Sequence, residues 1–431
     1  MRYEESLVLT PQAGAFIRGS QALADGTIWG SSSRLLVEFL LEHYELYAHT
    51  STLEGLLGDH PLWPHLSKIL QDGAEFPLQP LSDEDRMTDL SFHMNRGNHK
   101  SLSKYASFIE PVILEDVDRG FALPLPIDIL QNLPKPSVAP LGCHKQSILN
   151  DSGEIIPKYR LTHDQSFPGP SGLSVNLRVK KDELPPVMYS FALLRVIHFI
   201  VHTSSLFPST KIYLCKVDLD ATYRRYHISS STCFESMTNF DGLLLVALQL
   251  TFGGSPCPGL WGIISESITD ITNTLLQNPF WDHDLVFDPI SESLYPPLNL
   301  PDSVIYHLEK DLAVSLPTNS LGYVDIIIDD SIGIIPDLGD NATWMRRAIP
   351  LAICTMTRPL DHNDVIPRKD IISMKKYQAV GRLEEEKKVL GWNINTRSLR
   401  ISLPYDKFQD WSKDIRQLIS AISYWNLSLA G

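Results

Sequence analysis

Two adjacent carboxylates, Asp329 and Asp330, interrupt the run VDIIIDDSIGIIPD, which is otherwise almost all isoleucine. Burying ionised carboxylates is costly unless they are paired or coordinate a metal. A tight bend between the β-branched stretches Val324–Ile328 and Ile332–Ile335 would display both acids above an apolar base. A third acid comes earlier, in KVDLDATY: Lys211 to Val217 alternates like a strand and delivers Asp218 at its C-terminal end. Asp220 shares that face if the strand continues. One acid after a strand and two at a hairpin tip form the layout of a two-metal phosphoryl-transfer site. There, carboxylates from separate strands hold two Mg²⁺ about 3.5–4 Å apart, activating a hydroxyl and stabilising the leaving oxygen. Each acid also has a plainer use, since Asp is an ordinary turn residue and a common helix N-cap.

Such acids need a scaffold, and the chain is long enough to provide one. Its 431 residues allow two or three domains, and 43% hydrophobic with 20% charged residues describes a globular protein. The net charge of −14 argues against a nucleic-acid binder unless the cations are gathered in one cleft. Arg224, Arg225, Arg397, Arg400 and Lys407 are the residues to look to. Five cysteines without CxxC spacing suggest neither a zinc ribbon nor a disulfide framework, and fit a reducing intracellular compartment. The N-terminus lacks the layout of a signal peptide. The uncharged stretch Gly242 to Ser265 contains GGSPCPG, which argues against a membrane span.

The organisation expected is α+β. Residues 1–135 form a largely helical N-terminal extension, with SSRLLVEFLLEHYELYA as one helical patch. The prolines at 124, 126, 134, 136 and 140 mark an extended, strand-poor bridge. Residues 136–403 alternate strands and helices, interrupted by a proline-rich interval at 278–317 in which FWDHD (280–284) reads as a surface loop. Residues 404–431 close the chain with an amphipathic helix. Its stripe of Phe408, Trp411, Ile415, Leu418 and Ile422 is expected to pack on the core.

Five motifs in order resemble those of reverse transcriptases, over roughly residues 137 to 425. KVDLDATY resembles the first palm motif, with Asp218 as metal ligand and Tyr223 as the following aromatic. LTFGGSPCPGLWG resembles the second, a Phe-Gly turn followed by Pro, with Phe252, Gly253 and Pro258 in those places. VDIIIDDSIG resembles the paired aspartates on a hairpin. IPKYRLTHD resembles the fingers strand that offers basic residues to the incoming triphosphate, here Lys158 and Arg160. KVLGWNINTRSLRISLP resembles the Leu-Gly hairpin that grips the primer, with Gly391, Trp392 and Arg397 as primer or template contacts. That last ending is most like the DIRS-type and related retrotransposon polymerases.

The resemblance implies a right-hand polymerase: palm and fingers, a partial thumb, and the helical extension. It implies RNA-directed DNA synthesis by transfer of a nucleotide from a dNTP to a primer 3′-hydroxyl. Asp218, Asp329 and Asp330 would be the catalytic metal ligands, and Mn²⁺ is a substitute for Mg²⁺. Tyr223 would lie under the sugar and reject a 2′-hydroxyl, Phe252 and Gly253 would lie against the nucleotide, and Lys158 and Arg160 would neutralise its phosphates. The implied partners are an RNA or DNA template with primer and other retroelement proteins, and no membrane. The family's aromatic two residues before the paired aspartates is replaced by Ile327, with Tyr323 four residues further upstream. Asp325 offers a second register, but Ile326 follows it, so the pair stays at 329/330. Lys387 and Lys388, beside three glutamates, read as partners on a helix surface. The rival is a non-catalytic, retroelement-derived nucleic-acid-binding or structural protein, and a metal-dependent phosphohydrolase ranks third.

Overall fold

The computed structural model describes residues 50–149, 155–185, 189–277, 322–357, 371–372, 377 and 381–428. The helical patch at 32–48, the proline-rich interval 278–317 and FWDHD at 280–284 lie outside the described residues.

Helices α1 (Thr50–Leu57), α2 (Trp63–Asp72), α3 (Asp83–Arg96), α4 (Lys100–Lys104) and α5 (Ala106–Asp118) come first. Sequence chemistry bounds α3 clearly. Ser82 caps its first turn by accepting from the Asp85 N–H, three acids follow, and Gly97 ends it. Next come β1 (Ala122–Pro126), the hairpin β2 (Leu141–Leu149) and β3 (Ile155–His163), α6 (Ala192–Leu206) and β4 (Ile212–Asp218). They are followed by α7 (Ser230–Glu235), β5 (Thr238–Phe240), β6 (Leu243–Ala247) and α8 (Cys257–Gln277). The last elements are β7 (Tyr323–Ile327), β8 (Asp330–Pro336), α9 (Asn341–Met356), β9 (Glu386–Val389), β10 (Trp392–Asn395), β11 (Arg400–Ser402) and α10 (Tyr405–Ser428). The fold is α+β.

The central sheet runs β4-β8-β7, antiparallel throughout. One face carries Ile212, Leu214, Ile332 and Ile334 against Val196 and Phe199 of α6 and against Val389 and Ile394 of the β9–β10 hairpin. The other carries Cys215, Val217, Val324 and Ile335 into the main core, with α8 and α9 behind it. The main core also takes Leu53, Leu57 and Leu66 from α1 and α2, so the described N-terminal helices share it. Gly333 is small for a reason: a Cβ there would lie 2.6 Å from Cys215 Sγ, with Met345 of α9 just beyond. The hydroxyls and acids of α8 are buried along nearly its whole length.

The proline-rich bridge begins as a true strand, β1, at the edge of the sheet β1-β6-β5. Pro124 and Pro126 share one parity, while Leu248 donates its N–H to Phe121 at the other parity. The missing proline N–H groups therefore point off the free edge, where no ladder bond is lost. Lys387 and Lys388 lie on β9, not on a helix, and Lys387 is buried and paired with Glu384 at 2.9 Å. β4 stops at Asp218, and the Asp220 N–H turns away to the Ile371 carbonyl. The stripe on α10 does not pack on the core: Phe408, Trp411, Ile415 and Leu418 are each about half exposed or more. Their spacing fixed a helix, but periodicity says nothing of whether a partner surface exists. Among the described residues no helix is long and apolar enough to cross a membrane.

Candidate active site

The isoleucines around the acids form the hairpin β7–β8, closed by the two-residue loop Ile328-Asp329. Ile328 has φ +55°, an uncommon conformation for a β-branched residue. Two bonds hold it there. Trp261 of α8, itself fully buried, donates its indole N–H to the Ile328 carbonyl at 2.5 Å. The Leu219 N–H, just past β4, donates to the Asp329 carbonyl at 3.4 Å. The hairpin tip is thus fastened both to the helix behind it and to the strand beside it.

That second bond fixes the register of the acids. Asp218 and Asp330 are cross-strand partners, and Leu219–Asp329 is the hydrogen-bonded position next to them. The two aspartates therefore occupy the non-hydrogen-bonded kind of pair, where Cα atoms approach to about 4.5 Å and side chains point the same way. Like charges directly opposite repel. Lys216, two residues back along β4 on the same face, answers part of that charge with its Nζ 2.8 Å from Asp330 Oδ2. Asp218, Asp329 and Asp330 are all half-buried. The three donors are carboxylates from the end of β4 and from the β7–β8 hairpin, hard oxygen ligands that suit Mg²⁺ or Mn²⁺. As they stand among the described residues, no three His, Cys, Asp or Glu side chains are gathered closely enough to hold a metal ion.

Asp325 belongs elsewhere. It is fully buried and bidentate with Arg195 of α6, at 2.6 Å to Nε and 2.7 Å to the terminal nitrogen. The Tyr323 hydroxyl and the Ile326 N–H complete its shell. Burial opposes the charge on Arg195, but its hydrogen bonds to Asp325 and the Asp325 charge outweigh burial and raise its pKa above the ordinary value.

The aromatic residues lie beside the hairpin tip. Tyr223 is in a short 3₁₀ turn, Thr222–Arg225, with its ring 4.8 Å from that of Phe252. Burial, together with Cys257, Tyr189 and Asp329 nearby, pushes its phenol up, so the ring stays neutral. Phe252 is half exposed. Gly253 adopts φ +143° with no room for a side chain, since a Cβ would sit 2.0 Å from the His163 carbonyl. Asn176 clamps this turn, donating to the Gly253 carbonyl and accepting from the Ser255 N–H.

Through His163, the turn abuts the end of β3. Lys158 and Arg160 lie on the exposed face of that strand, opposite Gln146 and His144 of β2. Arg160 is three residues back from His163, roughly 10 Å of strand at about 3.3 Å per residue. His163 itself is buried, its pKa driven down to about 3 by burial and by the neighbouring Arg224 charge.

The hairpin residues sit apart from these. Leu390 (φ +51°) and Gly391 (φ +84°) form the tight β9–β10 loop, the backbone sign expected of a primed turn. Trp392 opens β10. Arg397 is tied to Glu385 through two nitrogens and so offers less than a free cation. Arg224 and Arg225 are spoken for as well: Arg224 pairs with Asp116 at 2.9 Å, and Arg225 is buried on the Asp220 carbonyl. Sequence reading missed Lys216 and Trp261. The two-residue period linking Lys216 to Asp218 could have flagged the lysine. Nothing in the uncharged run around Trp261 points to the hairpin.

No protein-family model matches the chain, and no curated protein does. Among solved structures it is similar to the foamy viral protease-reverse transcriptase in complex with double-stranded DNA, at 13% identity and a TM-score of 0.40, over 77% of this chain and 48% of that one. It is also similar to the native prototype foamy virus protease-reverse transcriptase, at 12% identity and a TM-score of 0.38, over 77% of this chain and 29% of that one. A third match is the foamy viral protein in complex with an RNA/DNA hybrid, at 13% identity and a TM-score of 0.35, over 81% of this chain and 41% of that one. The chain thus spans half the length of these proteins or less.

Proposed function

We propose that this chain carries a reverse transcriptase polymerase core that adds deoxynucleotides to a primer on an RNA template. The observation that carries the reading is the register: Asp218 and Asp330 are cross-strand partners, and Asp329 sits in the adjoining loop. Three carboxylates carried at one end of a β-sheet, on a hairpin and strand anchored by isoleucine, would give hard cations a rigid support. Bound Mg²⁺ would supply the positive charge that stabilises the transferring phosphate and acidifies the primer hydroxyl. Asp218 and Asp329 would be its principal ligands, with Asp330 supporting them. Tyr223 and Phe252, in contact with each other, would wall the sugar and base of the incoming nucleotide. Tyr223, held neutral and buried, excludes a 2′-hydroxyl by its bulk. Lys158 and Arg160 would meet the triphosphate, and the β9–β10 loop with Trp392 the primer.

The non-catalytic alternative draws on two observations: Lys216 already holds Asp330, and no three donors are gathered among the described residues. Primer extension on an RNA template with Mg²⁺ and dNTPs separates the two readings. Extension that disappears in Asp329→Asn supports the polymerase. A folded protein that binds primer–template but extends it neither with Mg²⁺ nor with Mn²⁺ supports the alternative.

A further inference from the structure

Lys216 and Asp330 form an ion pair that is mostly shielded from water, their side chains 15% and 23% exposed. Screening is therefore weaker than at an open surface. The carboxylates facing this ammonium are Asp330 at 2.8 Å and, on the same sheet face, Asp218 directly opposite Asp330; Asp329 adjoins in the loop. Lys216 thus offsets part of the repulsion between Asp330 and the Asp218 carboxylate opposite it.

We propose that Lys216 is a resident cation that competes with the divalent metal for Asp330, so that metal binding and withdrawal of the lysine are one coupled event. The inference rests on the metal-binding reading above and adds a control to that site. A dication coordinated to Asp330 at about 2.1 Å would stand close to an ammonium already hydrogen-bonded to the same carboxylate. Like charges that close cannot share one oxygen cheaply in a half-buried site. Lysine suits the exchange, because its charge is compact and its four-carbon stem can swing the head away.

The test is Mn²⁺ binding to the full chain, followed by the loss of the free-ion electron paramagnetic resonance signal. Wild type is compared with Lys216→Met, Lys216→Arg, Asp329→Asn and Asp330→Asn. Lys216→Met keeps the apolar stem and removes the charge, and is expected to bind Mn²⁺ about tenfold more tightly, within the usual span of coupling between linked sites. Lys216→Arg keeps the charge and should stay near wild type or weaker. In EDTA, Lys216→Met should melt below wild type and then gain more on adding Mn²⁺, because unrelieved carboxylates oppose each other until the ion arrives. If Lys216→Met binds no more tightly while both Asp variants lose binding, the competition is refuted and the metal site stands. If no chain shows Mn²⁺ binding that depends on Asp329 or Asp330, the metal reading falls and this inference with it.

Discussion

Replacing Asp325 by leucine should be among the most damaging single changes in the central sheet. Its carboxylate accepts two bonds from Arg195, at 2.6 and 2.7 Å, with 0% of the Asp325 side chain and 3% of the Arg195 side chain exposed. Leucine fills similar space but strands a buried guanidinium, and breaking a buried pair on one side costs about 3–5 kcal/mol. Glu266 lies near enough to Arg195 to favour its charge, which places the loss toward the lower end, about 3 kcal/mol. Arg195→Met should cost less, because Asp325 keeps the Tyr323 hydroxyl at 3.1 Å and the Ile326 N–H at 2.9 Å. The double variant Arg195→Met/Asp325→Leu should recover most of the loss, since a well-packed apolar pair often matches a buried ion pair. Urea unfolding followed by far- and near-ultraviolet circular dichroism gives the three values. Non-coincident transitions would show that the sheet unfolds apart from the rest. A loss under about 1 kcal/mol in Asp325→Leu, or a double variant as unstable as the summed singles, would refute the assignment of this pair as the clamp on β7.

Trp261→Phe keeps the ring but leaves the Ile328 carbonyl without its 2.5 Å donor; the expected cost is about 1–3 kcal/mol in urea unfolding. The primer extension proposed above should, in that variant, fall chiefly in kcat, through the position of Asp329. Gly253→Ala must displace the His163 carbonyl or the turn itself, a strain of about 1–3 kcal/mol that a fall in melting temperature would register. His163 is buried with its pKa lowered to about 3, so the unfolded chain binds its proton first as pH falls below 6.5. Its contribution is fully present above 6.5 and declines by about 1.4 kcal/mol per pH unit toward 3. The unfolding free energy from urea titration should therefore fall by about 2 kcal/mol more from pH 7 to pH 5 in wild type than in His163→Gln.

Local chemistry made the hairpin legible. Isoleucines either side of the Asp pair, a period-two run ending at Asp218 and a Leu-Gly pair before Trp392 each specify backbone geometry within a few residues. The register that sets Asp218 opposite Asp330 is a long-range fact, dependent on which strand pairs with which, and short windows do not encode it. Arg195 and Asp325 illustrate the same gap. Each looks misplaced in its own apolar segment, and only their meeting across 130 residues makes sense of both. The α10 stripe failed in the opposite sense: its spacing fixed a helix correctly, while its burial depended on a partner surface that no window contains.

The acidity of the chain acquires a physical meaning once the cations are located. Arg86 and Arg178 are committed to Glu235, Arg195 to Asp325, Arg224 to Asp116 and Arg397 to Glu385. Arginine's planar fork suits the bidentate, buried pairing of Arg195 with Asp325, and the Glu235 and Asp116 pairs tie separate elements together. Among the exposed cations are Lys158 and Arg160 on β3, Arg400 on β11, and Lys413 and Arg416 on α10. The exposed Phe408, Trp411 and Ile415 beside Lys413 and Arg416, and the half-exposed Phe252, supply apolar surface near positive charge. Net charge alone thus describes this chain poorly, because several of its arginines are structural; what decides an interaction with nucleic acid is the set of cations that reach solvent.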